Sequence, residues 1–222
     1  MNYSDFLSEL KGGSEPSYAA FHSRLLNDPS IRVLGVRVPT LRKIAKAHRG
    51  ELSDVLSFPN DYYEVVFVKL SMVASLPYEE FLTHLFDMVS LIDNWACCDC
   101  FAPKCIAKHK EDFLPILEEV FSHGGEFFER FALVTLLQNY ISKEYLSLIF
   151  SYCNRADTSL YYVHMAVAWL VAEVLVHFPE EGEAFLREGT LAIKTHNKAI
   201  QKARESDRLT DERKCMLKSL KR

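Results

Sequence analysis

Asp61-Tyr62-Tyr63-Glu64-Val65-Val66-Phe67-Val68-Lys69-Leu70-Ser71-Met72-Val73-Ala74-Ser75 is the stretch on which the fold turns. Tyr62, Val65/Val66, Lys69/Leu70 and Val73 recur at three- and four-residue spacing, the period of a helix that buries one stripe. The same rhythm returns over 81–89, 113–121, 127–141, 145–152 and 161–178. Alternation long enough for a strand is missing, apart from 31–38, which the pattern leaves open.

The punctuation agrees with helices. Pro39, Pro77, Pro115 and Pro179 each stand where a helix would begin, at a position that does not need the missing N–H. Asn60-Asp61, Gly124-Gly125 and Asp157-Thr158 read as caps and turns. About a dozen helices joined by short links predict antiparallel neighbours. Pairs recur every ~35–45 residues, the length of two-helix HEAT-type repeats. The expected fold is therefore all-α: a right-handed superhelical solenoid of stacked antiparallel helix pairs, HEAT/ARM-like, forming one domain over 1–222. The more basic tail, 190–222, keeps helical apolar spacing through Ile193, Ile200, Met216, Leu217 and Leu220.

Composition bounds the function. With 49% hydrophobic and 25% charged residues, the chain can bury a real core, and eight Gly and eight Pro are too few for an all-β fold. No run approaches ~18 consecutive apolar residues, so no membrane partner is expected. The first residues are polar and acidic, without a signal-peptide pattern, and a cytoplasmic location is the expectation. The net charge of −4 conceals an asymmetry: 190–222 carries ten Lys and Arg against four Asp and Glu, or +6, leaving −10 for the rest. A second basic run, Arg32, Arg37, Arg42, Lys43, Lys46 and Arg49, has no acid within it. Local basic patches, rather than net charge, govern affinity for phosphate, because bound Lys and Arg release condensed counterions. Such runs also serve as solvated helix faces.

Three places could carry chemistry. In Asp93-Asn94-Trp95-Ala96-Cys97-Cys98-Asp99-Cys100-Phe101-Ala102-Pro103, Trp95 and Asp99 lie one helical turn apart on a shared face. Pro103 cannot donate to the Asp99 carbonyl, so the helix should kink or end beside that carboxylate. Read alone, the pair is more simply a core Trp beside a surface Asp, with Pro103 starting the next helix. Arg130 borders a stripe of Phe127, Phe131 and Val134, with Glu126 one turn back as an ordinary ion-pair partner. Trp169 lies in a stripe with Tyr162, Met165 and Val176, a place usually taken by core aromatics.

Leu34-Gly35-Val36-Arg37-Val38-Pro39-Thr40-Leu41-Arg42-Lys43-Ile44 resembles the amino-terminal signature of the DNA alkylation repair family of AlkD-like glycosylases. Trp95-x-x-x-Asp99, Arg130 and Trp169 stand in the order and at about the spacing of that family's catalytic group. Trp169-Leu170-Val171-Ala172-Glu173, running on to Phe178-Pro179, is similar to its late tryptophan helix, and the segment from Thr195 to Ser206 resembles a divergent branch. The resemblance spans roughly residues 20 to 190.

It implies a DNA glycosylase that acts on cationic alkylated purines, N3-methyladenine or N7-methylguanine, in duplex DNA, during base excision repair and without a cofactor. The faces of Trp95 and Trp169 would hold the cationic nucleotide, since an aromatic quadrupole attracts cations. Asp99 would stabilise the oxocarbenium character of the sugar and position the attacking water. Arg130 would anchor a backbone phosphate. Arg37, Arg42, Lys43, Lys46, Lys104, Lys198 and Lys202 would contact DNA, and the protein would act as a monomer. Two other classes stay open: a non-catalytic DNA-binding HEAT-like protein that reads DNA shape, and a protein-interaction scaffold. Cys97, Cys98, Cys100 and Cys105 resemble a metal cluster, but thiols within one helical turn do not readily converge tetrahedrally, so no metal is expected.

Overall fold

The computed structural model describes residues 1–26 and 28–222. Fourteen α-helices and three short 3₁₀ turns account for its regular structure, and no strand forms among the described residues. The open segment 31–38 is extended only far enough for one antiparallel bridge, Val36 with Ser14. The chain divides into two compact units, Met1–His109 and Lys110–Arg222.

The first unit contains α1 (Tyr3–Gly12), α2 (Pro16–Leu26), α3 (Val38–Ala47), α4 (Leu52–Ser57), α5 (Tyr63–Val73), α6 (Tyr78–Ser90) and α7 (Trp95–Cys100). Its centre is α5, packed against α3, α4, α6 and α7. The sequence pattern reads α5 as one buried stripe, yet ten of its eleven residues are buried. A helix surrounded on all sides must neutralise its own polar side chains. Lys69, 1% exposed, donates from Nζ to the carbonyls of Leu56 and Phe58 and to Asn60 Oδ1, closing the end of α4. That is why a lysine stands in an apolar stripe. Glu64, fully buried, accepts the backbone N–H groups of Leu34, Gly35 and Val36 at 2.9, 2.7 and 3.2 Å. These contacts fasten the loop that leads into α3.

The second unit contains α8 (Lys110–His123), α9 (Glu126–Asn139), α10 (Leu146–Arg155), α11 (Tyr161–His177), α12 (Pro179–Glu188), α13 (Ile193–Glu205) and α14 (Asp211–Ser219). Here α11 is central and packs against α9, α12 and α13. Its sequence, with Glu173 as the one carboxylate, is apolar nearly all round, as a fully surrounded helix requires. Gly189 ends α12 at φ +71°, the left-handed conformation that favours glycine.

One expectation about helix starts is corrected. Pro39 and Pro179 lie in first turns and Pro77 caps α6, but Pro115 lies inside α8, which begins at Lys110. Its ring deprives Glu111 of a helical donor. Pro115 is exposed, where solvent can take over that hydrogen bond.

Candidate functional site

Helix α7 is short because both of its ends are chemically set. Asn94, 1% exposed, caps it by accepting the Cys97 N–H on Oδ1 at 2.9 Å. At the other end the Phe101 N–H closes onto the carbonyls of Cys97 and Cys98, and the helix stops at Cys100, one residue past Asp99. Ala96, Cys97 and Cys98 face the core, whereas Trp95 and Asp99 are half-buried. The Trp95 indole donates from Nε1 to the Leu25 carbonyl in the last turn of α2, at 3.2 Å. A carbonyl at a helix end has no intrahelical partner, so this bond fixes the ring without disturbing α2.

Beside α7 opens a cleft of about 470 Å³. Arg42, Lys46 and Arg49 line it from α3 and the following 3₁₀ turn (Arg49–Glu51), and Lys104 lines it from the loop after α7. Four-residue spacing puts Arg42 and Lys46 on one face of α3, away from the buried Ile44, and Arg49 joins them from the turn that follows. Small residues of α5 and its exit, Ser71, Ala74 and Ser75, form the opposing wall. Among the described residues no carboxylate lines the cleft, so four positive charges converge on a space suited to an anion.

The thiols of Cys100 and Cys105 also line it. Burial pushes the Cys100 thiol up, the Arg42 guanidinium pulls it down, and the neighbouring Asp99 carboxylate pushes it up again. Asp99 is the chain neighbour of Cys100, one of the residues that line the cleft. The six cysteines are all free, and no three His, Cys, Asp or Glu side chains among the described residues are grouped for a metal ion.

The basic residues read from the sequence separate here. Arg42, Lys46 and Lys104 share the cleft, while exposed Lys43 stands outside its lining. Arg37 caps α3 and is held by Glu15 in a bidentate pair at 2.7 and 2.8 Å, its guanidinium 4.8 Å from the centre of the Tyr18 ring. Arg49 completes the cleft. Its signal in the sequence was the seven-residue step from Arg42, two turns along one face.

In the second unit Arg130 is 5% exposed and donates to the Tyr162 carbonyl at 2.8 Å. Glu126 accepts the Tyr162 N–H at 2.6 Å, and Glu129 accepts the Asp157 N–H at 2.8 Å. The first turns of α9 thus staple the approach to α11 and its first turn. Burial pushes the Glu129 carboxyl up, and the Asp157 N–H counteracts it.

Trp169 is half-buried and lines a cleft of about 230 Å³ with Glu173, Lys202, Glu205 and Arg208. Arg208 grips Glu173 with one guanidinium nitrogen at 2.7 and 2.8 Å, and Lys202 pairs with Glu205 at 3.0 Å. Lys202, read from the sequence as a DNA contact, already has a carboxylate partner. Lys198 lines a different cleft, with Lys194 and Lys221.

No helix of the described residues is long and apolar enough to cross a membrane. Compared with models of protein families, residues 6–206 match the family described as DNA alkylation repair enzyme. No curated protein matches the chain.

Proposed function

The chain belongs to the DNA alkylation repair enzyme family, and from that premise we propose that it is a DNA glycosylase that releases cationic alkylated purines from duplex DNA. One observation carries the reading. Helix α7 presents the half-buried Trp95 ring and the Asp99 carboxylate one turn apart, next to a cleft lined by Arg42, Lys46, Arg49 and Lys104.

The cleft binds the phosphate backbone, because four cations free of lining carboxylates exchange condensed counterions for direct contacts. Trp95 offers an aromatic face to the positively charged nucleotide, an attraction of ~0.5–2 kcal/mol. An N3- or N7-alkylated purine is a good leaving group, since the electron pair of the N-glycosidic bond neutralises its charge. The sugar is left with oxocarbenium character, which the Asp99 carboxylate stabilises while it orients water to the same carbon.

Arg130 and Trp169 enter the proposal as DNA-contacting positions of the second unit. Arg130, buried and donating to the Tyr162 carbonyl, acts on phosphate as a held charge rather than as a bidentate fork. Lys43 and Lys198 add exposed or half-exposed charge. Arg37 and Lys202 contribute least, because Glu15 and Glu205 already neutralise them.

The deciding measurement is base release from duplex DNA carrying N7-methylguanine or N3-methyladenine, by the wild-type chain and by Asp99→Asn. Release by the wild type that falls tenfold or more in the variant, about 1.4 kcal/mol or more of transition-state stabilisation, supports the assignment. Absence of release alongside salt-sensitive DNA binding would leave a non-catalytic DNA-binding protein, and absence of binding a protein-interaction scaffold.

A further inference from the structure

One surface of the second unit takes no part in the chemistry proposed above. Tyr161, the first residue of α11, is 58% exposed, and Ile193, the first of α13, is 56% exposed. Large apolar side chains this open are few among the described residues: the others are Phe21 at 49% and Leu25 at 45%, both on α2 of the first unit. Tyr161 borders a cleft of about 370 Å³ that Lys194, Lys198 and Lys221 also line, again without a carboxylate among the described residues.

The convergence of three lysines is built into the packing. Lys194 and Lys198 lie one turn apart on α13. Lys221 comes from the segment after α14, and both of its neighbours are tied down. Asn197 donates from Nδ2 to the Arg222 carbonyl at 2.7 Å and accepts the Arg222 N–H on Oδ1 at 3.0 Å. His196 Nε2 donates to the Leu220 carbonyl at 2.8 Å. The floor is held by His164, 2% exposed, whose Nδ1 meets Thr195 Oγ1 at 2.9 Å and locks α11 to α13.

We propose that this cleft binds a single-stranded segment of nucleic acid, with Tyr161 stacking on an unpaired base and Lys194, Lys198 and Lys221 holding the flanking phosphates. The pairing of an open aromatic ring with converging lysines selects this ligand. An intact duplex keeps its base faces stacked and gives the Tyr161 ring nothing to cover. A simple anion uses the lysines and leaves the ring idle. A single strand uses both, because every base has a face to stack and every linkage a charge to neutralise. The cleft volume is within the ~300–1,000 Å³ usual for small-ligand sites, enough for one nucleotide unit. The inference shares Lys198 with the DNA-binding part of the proposed function and does not depend on Asp99.

The test uses the full chain and undamaged strands, so base release plays no part in it. Fluorescence anisotropy compares a labelled oligo(dT) with an abasic sugar-phosphate strand of the same length, a blunt duplex and poly-glutamate. The expected result is about tenfold tighter binding of oligo(dT) than of the abasic strand. Tyr161→Ala removes that preference and leaves the salt dependence unchanged. Lys194→Gln with Lys198→Gln keeps the preference but flattens the dependence of log affinity on log salt by ~0.7 per lysine. Circular dichroism of each variant checks the fold, which an exposed ring and surface lysines should not disturb. Equal binding of oligo(dT) by wild type and Tyr161→Ala would overturn the proposal. So would abasic strand or poly-glutamate bound as tightly as oligo(dT), or a loss of duplex binding in Tyr161→Ala equal to its loss of oligo(dT) binding. Loss of glycosylase activity in Asp99→Asn, or its absence in the wild type, leaves either outcome readable.

Discussion

The carboxylate of Glu64 accepts the Gly35 backbone N–H at 2.7 Å, so a fully buried charge on α5 holds the turn before α3 in place. With Leu34 and Val36 the same carboxylate takes three donors, of which those of Gly35 and Val36 would otherwise be buried without partners. Gly35 sits at φ +91°, and a Cβ there would come within 2.5 Å of the Glu15 carbonyl oxygen. The basic face of α3 depends on this anchor for its position.

Glu64→Ala should therefore cost about 2–4 kcal/mol of stability, because it strands buried N–H groups and opens a cavity. Gly35→Ala should destabilise by more than ~1 kcal/mol through backbone strain together with the clash. Urea denaturation followed by circular dichroism measures both. A midpoint unchanged in either variant would contradict the account of this turn.

The cations of the first unit should differ in their weight in DNA binding. Arg42→Gln, Lys46→Gln and Lys104→Gln should each weaken duplex binding and reduce the slope of log affinity against log salt by ~0.9. Arg37→Gln should change the slope little, since Glu15 already neutralises that charge in a bidentate pair. Titrations at several salt concentrations separate the two behaviours. Equal effects at Arg37 and Arg42 would count against the cleft as the phosphate site.

Trp95 offers a ring face and an N–H, and two substitutions separate them. Trp95→Phe keeps an aromatic face and loses the bond to the Leu25 carbonyl. Its base release should fall only about threefold, the worth of a modest hydrogen bond of ~0.7 kcal/mol. Trp95→Ala loses the face as well and should fall tenfold or more. Single-turnover release from methylated duplex DNA provides the comparison, and identical losses would assign the role of Trp95 to its N–H alone.

His164 makes stability depend on pH in a definite direction. Burial holds its imidazole below the usual histidine range, with Lys194 and then Lys198 lowering it further. The unfolded chain therefore binds the proton first as pH falls, so stability is complete above the unfolded histidine pKa of ~6.5 and is lost as pH drops toward the folded value. Thermal melts from pH 7.5 down to 5.5 should show a smaller decline in His164→Gln than in the wild type. An equal decline in both would mean that other groups carry the dependence.

Helical class was legible wherever period and punctuation agreed, as in α5, α6, α9 and α11. It was less legible at Pro115, where an exposed position inside α8 tolerates a missing donor that a buried one would not. The stripe in α5 was real but incomplete. Periodicity reports the apolar face of a helix, while α5 is surrounded, and its polar residues Glu64 and Lys69 are buried because backbone groups distant in sequence satisfy them.

The candidate site divides in the same manner. The pairing of Trp95 with Asp99 on one helix face, and the end of that helix next to Asp99, follow from local rules of spacing and proline chemistry, and those can be read from the chain alone. The spacing of Arg42, Lys46 and Arg49 can be read there too, but not which distant cation joins them or which basic residues are already neutralised. Arg42, Lys46, Arg49 and Lys104 meet in one cleft, Arg37 and Lys202 are neutralised by Glu15 and Glu205, and Arg130 is turned inward to the Tyr162 carbonyl. Arg37 and Glu15 lie 22 residues apart in the chain, and Arg130 and Tyr162 lie 32 apart. Coulomb energy and burial depend on distance in space, and only the packing of the helices supplies that distance.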